Sequence, residues 1–233
     1  MRRRNFIQLC AASAAATTLP TSADAAALKA RMYRRALLVD ERGQPIRSDT
    51  LRSGVNYVFE YPFASTPCFL LRLTKPTVGG IDLKTEGGGA YRWQGGVGPE
   101  RTIVAYSAIC AHKLTYPTRQ VSFIGYRDGP SPVAGKGKVI TCCSDRSVYD
   151  PSAGARVVAG PAPQPLATIL LEYEAKKDEF TAVGTFGGEM FEAFFQKFGF
   201  RLELELGDRA KASVDGRAVV RELAAYSTQW AQC

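Results

Sequence analysis

The chain has little of the residue that builds most metal and acid–base centres. It carries one histidine, His112, among 233 residues. A site that needs two imidazoles from this chain is therefore excluded. There is no run of about 18 apolar residues, which argues against a typical membrane-spanning helix. Six cysteines are too few to staple a miniprotein scaffold at this length. Negative charge is also in deficit, 22 Asp and Glu against 30 Lys and Arg, for a net charge of +8. The basic residues are dispersed rather than clustered with aromatics, so no nucleic-acid partner is expected. A mild preference for an acidic partner is all the charge supports. What is present is ordinary for a globular protein, with 45% hydrophobic and 22% charged residues. That is enough for one medium domain and a tail, or at most two small domains.

The first 25 residues read as an address. Arg2, Arg3 and Arg4 precede Phe6, Ile7 and a weakly apolar stretch rich in Ala, Ser and Thr. Arg3-Arg4-Asn5-Phe6-Ile7-Gln8 is similar to the twin-arginine export signal, and Ala23-Asp24-Ala25 offers an A-x-A cleavage site. Removing residues 1–25 removes three Arg and one Asp, so the charge falls from +8 to +6. Such a leader predicts a periplasmic protein, free or membrane-associated, that is exported folded with any cofactor already inserted. No transmembrane span is expected after cleavage.

The mature chain reads as short strands punctuated by turns. Apolar or alternating runs at 37–39, 57–61, 68–73, 103–106, 138–141, 169–173 and 180–183 are separated by Gly79-Gly80, Gly87-Gly88-Gly89 and Gly160-Pro161-Ala162-Pro163. Lys176-Lys177-Asp178 reads as a hairpin turn. This pattern predicts an all-β antiparallel sandwich or barrel over residues 26–188. Residues 189–233 form an extension with a short helix. Met190, Phe191, Phe194, Phe195 and Phe198 recur at helical spacing over 189–198, suited to core packing or to docking a partner subunit. Leu202, Leu204 and Leu206 alternate with charged residues, which predicts a strand over 201–206. Residues 214–230 read as a strand followed by a helix.

Two short motifs carry chemistry. Cys110-Ala111-His112 follows the run at 103–106, and Cys142-Cys143-Ser144-Asp145 opens a second loop, with Ser147 and Tyr149 beyond it. Cysteine and histidine so arranged point to metal ligation. The constellation, with the Gly160-Pro161 loop downstream, resembles the Rieske iron–sulfur family. In that family a C-x-H loop and a C-x-x-H loop each give one Cys and one His to a [2Fe–2S] cluster, beneath a Gly-Pro-rich third loop. Residues 55–188 are most similar to the small, twin-arginine-exported Rieske subunits of arsenite-oxidase type.

The resemblance implies Cys110 and Cys142 as ligands of one iron and His112 as a ligand of the other. It implies that Ser147 and Tyr149 hydrogen-bond a bridging sulfide and a ligand sulfur, which raises the reduction potential. The sequence departs from the family in three places. Asp145 stands where the second histidine is expected. Thr115 and Ser144 replace a cysteine pair that forms a disulfide in many members. The interval between the ligand loops is long, with 120–138 forming an added hairpin or loop. The fourth ligand is Asp145, with Cys143 its rival. Cys68 and Cys233 remain to pair with each other or with Cys143, connectivity open.

The implied function is one-electron transfer with a periplasmic or membrane redox partner, such as a c-type cytochrome or an oxidoreductase large subunit. No nucleophile, base or substrate pocket stands out, so a subunit of an oxidoreductase complex is expected rather than a stand-alone enzyme. Two alternatives are a cluster-free accessory subunit that keeps the fold and a zinc-binding variant.

Overall fold

A computed structural model describes residues 27–233; the leader reading falls outside the described residues. Strands run in chain order as β1 (Arg31–Val39), β2 (Tyr57–Glu60), β3 (Pro67–Arg72), β4 (Ile81–Lys84), β5 (Ala90–Trp93) and β6 (Ile103–Ser107). There follow β7 (Val121–Ser122), β8 (Ile124–Arg127), β9 (Val139–Cys142), β10 (Ser147–Asp150) and β11 (Arg156–Ala159). The hairpin β12 (Thr168–Glu174) and β13 (Glu179–Phe186) leads to helix α1 (Met190–Leu206). The chain ends with β14 (Gly216–Val219), β15 (Arg221–Glu222), the single-turn helix α2 (Leu223–Tyr226) and β16 (Gln229–Trp230).

The expected all-β fold is what forms. Eight strands make one sheet in the order β14-β1-β13-β12-β6-β3-β2-β15. Its two edge strands are joined by the single residue Val220, whose N–H donates to the Val39 carbonyl at 2.7 Å. The sheet therefore curls into a nearly closed barrel, which removes most free edge. A second sheet, β11-β10-β9-β8, packs beside it and carries half of the site. Pairing between the named strands is antiparallel except between β1 and β14 and between β7 and β16, both made by the tail.

The middle strands are apolar throughout because both faces are buried. Phe59, Leu70, Ile103 and Ala105 fill the barrel interior. Val58, Phe69, Leu71, Val104 and Tyr106 face the second sheet, against Ile140, Cys142 and Tyr149. The dense run at 68–73 is the sequence trace of this two-sided burial. The long interval at 120–138 supplies β7, β8 and the connection into β9.

The tail differs from its sequence reading at two points, the first being 214–230, where β14 and β15 precede the single-turn α2 and a third short strand, β16, follows it. Residues 201–206 are not a strand; α1 continues through them. Leu202 is buried one turn beyond Phe198, whereas Leu204 is 73% exposed. Strict alternation of Leu with Arg and Glu is thus compatible with helix, since all three favour it and an Arg201–Glu205 pair spans one turn at 2.8 Å. The aromatic stripe is core: Met190, Phe191 and Phe194 close one end of the barrel, with Phe195 and Phe198 packed beside them.

Candidate metal centre

Two loops present the candidate ligands. The connection after β6 turns tightly, with the Cys110 N–H donating to the Thr115 carbonyl and the Leu114 N–H to the Cys110 carbonyl. Leu114 adopts the left-handed region to close this turn. It carries Cys110, buried, and His112, at the surface. The second loop is the turn of the β9–β10 hairpin, where Cys142 pairs with Ser147. Arg146, with φ of 64°, reverses the chain, and its N–H donates to the Cys142 carbonyl.

The side chains converge. The thiol and carboxylate atoms of Cys110, Cys142 and Asp145 lie within 4.8 Å of one another. Asp145 is the hub. Its Oδ1 accepts from the Ser147 N–H at 2.9 Å, and its Oδ2 lies 3.2 Å from Cys110 Sγ and 3.0 Å from His112 Nδ1. Its side chain is only 2% exposed, against 38% for the imidazole. The histidine therefore turns Nδ1 inward and keeps part of its ring in solvent.

The electrostatics suit a cation. Burial pushes the Asp145 carboxyl up, but hydrogen bonds from the Ser147 backbone and from the Cys110 and Cys142 thiols prevail and hold it below the usual carboxylate range. A hydrogen bond between the two thiols lowers Cys110 and raises Cys142. Burial, then the neighbouring Cys110, pushes the Tyr149 phenol up, so it stays protonated. Tyr149 OH accepts from the Ala111 N–H at 3.1 Å and lies 3.3 Å from Cys110 Sγ, which directs its proton at that sulfur.

Ser147 and Tyr149 alternate on one face of β10. Ser147 Oγ is buried with no hydrogen-bond partner in the protein. A buried hydroxyl left unpaired is costly, and an acceptor placed beside it would relieve that cost. Gly160, with φ of +87°, lies against Arg146 and Ser147; a Cβ there would overlap the Arg146 carbonyl and the Ser147 Cα. Pro161 follows it at the surface.

Cys143 is not available as a ligand. It forms a disulfide with Cys233, with Cα atoms 5.6 Å apart. Adjacent residues on a hairpin point apart, and this sulfur faces the chain terminus, away from Cys142. Cys68 is free and buried, and its thiol donates to the Tyr61 carbonyl at 2.9 Å. Sequence reasoning missed Arg127, which reaches both Cys143 Sγ and the Ala231 carbonyl. Its position in the long interval between the motifs gave no local signal.

No family model matches the chain. Among solved structures, the soluble domain of the Rieske protein II (soxF) from Sulfolobus acidocaldarius is 27% identical, with 66% of this chain and 78% of that chain covered and a TM-score of 0.45. Among the described residues, no helix is long and apolar enough to cross a membrane.

Proposed function

We propose that this chain is a Rieske-type electron-transfer protein, with Cys110, Cys142, His112 and Asp145 as ligands of a [2Fe–2S] cluster. Such a cluster, when bound, supplies reversible one-electron storage without bond rearrangement. The observation that carries the reading is the partnerless Ser147 hydroxyl beside a converged Cys/Cys/Asp/His donor set, with a protonated phenol aimed at Cys110. Two thiolates, an imidazole and a carboxylate fit the donor requirement of a ferric pair. Ser147 and Tyr149 would donate to cluster and ligand sulfur, which would favour the more electron-rich state. The Gly160 loop covers the hairpin turn. His112, with part of its ring in solvent, is the exposed edge through which an electron would pass to a partner such as a c-type cytochrome or an oxidoreductase large subunit.

A second reading is a single tetrahedral zinc ion on the same four residues. The 3.2 Å separation between Asp145 Oδ2 and Cys110 Sγ favours it, because that is short for ligands of two different metals. The buried hydroxyls of Ser147 and Tyr149 beside the thiols favour the cluster. Export to the periplasm by residues 1–25 belongs to the same proposal, and a disulfide between distant cysteines suits an oxidising compartment.

The test is the electron paramagnetic resonance spectrum of dithionite-reduced protein, wild type and His112→Ala. A rhombic signal in the wild type that is lost in the variant supports the assignment. A signal that persists unchanged removes His112 from the ligand set, and a colourless, silent wild type removes the cluster.

A further inference from the structure

Beyond the ligands themselves, residues 189–233 grip both loops from outside. One arm is α1, which holds the first loop. Lys197 Nζ donates to the Lys113 carbonyl at 2.7 Å, next to His112. The Phe194 and Phe198 rings meet Tyr116 edge-on at 4.9 and 5.2 Å, which fixes the exit of that loop.

The other arm is the chain end, which holds the second loop. β16 lies beside β7, and the Ala231 N–H donates to the Ser122 carbonyl. Arg127 ties this end to the hairpin. Its Nε donates to Thr141 Oγ1 at 2.9 Å, its Nη2 to the Ala231 carbonyl at 2.7 Å and its Nη1 to Gln232 Oε1 at 2.6 Å. The same guanidinium lies 4.7 Å over the Trp230 ring. Gly125 leaves room for that ring; a Cβ there would meet Trp230 Nε1 at 2.8 Å. The Cys143–Cys233 disulfide then bonds the residue after Cys142 to the last residue of the chain.

We infer that residues 189–233 are a two-armed clamp that sets the position of one ligand loop against the other. The loops touch each other directly through Tyr149 with Ala111 and through Asp145 with Cys110 and His112. No covalent link joins them among the described residues: Thr115 and Ser144 cannot form one, and Cys143 is bonded to the tail. The clamp supplies the missing constraint by tying each loop to one continuous segment. Cys143, Cys233, Arg127 and Lys197 are positioning residues, since they act through the loops they hold. The inference rests on the proposed site for what is held, but the clamp itself is made of contacts between protein atoms.

Hydrogen exchange of the full chain as purified tests it. In Cys143→Ser/Cys233→Ser, amides of 121–127 and 141–147 are expected to exchange about tenfold faster, while those of β12 and β13 stay unchanged. In Phe198→Ala the acceleration is expected over 110–116 and not over 141–147. Uniform acceleration throughout the barrel, or none at 141–147, would overturn the clamp. Should the double serine variant fail to fold, Arg127→Ala, which keeps the disulfide, is read by the same criterion. Iron content of the wild type is measured separately: the exchange pattern decides the clamp, and the metal decides the cluster.

Discussion

Tyr149→Phe removes one oxygen atom and separates two roles of the same side chain. The phenol accepts from the Ala111 N–H at 3.1 Å and lies 3.3 Å from Cys110 Sγ, in a fully buried position. Deleting it strands a buried backbone donor, at a cost of about 2 kcal/mol. For a chain of this size that lowers the melting temperature by about 4–8 °C. The second effect is electronic. A hydrogen bond to a ligand sulfur strengthens as the cluster gains negative charge, and a differential of about 1 kcal/mol corresponds to about 40 mV for a one-electron couple. The variant is therefore expected to keep its iron, melt lower and show a reduction potential lower by about 40 mV. Thermal melting and a dye-mediated redox titration measure the two effects independently. A melting shift with an unchanged or raised potential would refute the argument, leaving Tyr149 as packing alone.

Three further outcomes follow from the same geometry. Asp145→His exchanges a carboxylate for a neutral ring, so the bound cluster becomes less negative by one charge; the cluster is expected to persist with a higher potential, and a lower one contradicts the charge argument. Gly160→Ala places a methyl against Arg146 and Ser147 at a positive φ, and should destabilise the fold by at least about 1 kcal/mol in thermal melts, which an unchanged melt would disprove. Glu60, at the end of β2, has its carboxyl pushed up by burial, with Arg221 opposing from 4.0 Å. Its folded value lies above its unfolded one, so its contribution is fully present below the unfolded value and lost as pH rises through the folded one. Glu60→Gln is thus expected to melt higher at pH 7 and to lose that advantage near pH 4; a lower melt at pH 7 would reverse the sign of the argument.

Much of this arrangement was legible in local sequence. The runs at 57–61 and 68–73 are strands because both faces meet apolar neighbours, and such burial leaves a continuous hydrophobic trace. Cys110, His112, Cys142 and Asp145 could be grouped because each pair sits on one loop, so the expectation needed only that the two loops meet. The choice between Asp145 and Cys143 needed direction rather than spacing. On the hairpin the Asp145 carboxylate folds back to the Ser147 N–H and points inward, whereas the Cys143 sulfur faces the chain end. The strand expected at 201–206 failed because leucines alternating with charges fit two periods, and burial of Leu202 in the core selected the helix. The tail pairings were not legible at all. β14 beside β1, β16 beside β7 and a disulfide spanning 90 residues are long-range contacts with no signal in any window.

The most direct test of the account is the metal and acid-labile sulfide content of protein purified from its native compartment without added metal. The account predicts two irons and two sulfides per chain, the composition of one [2Fe–2S] cluster. One zinc without sulfide, or neither metal nor sulfide, would contradict it.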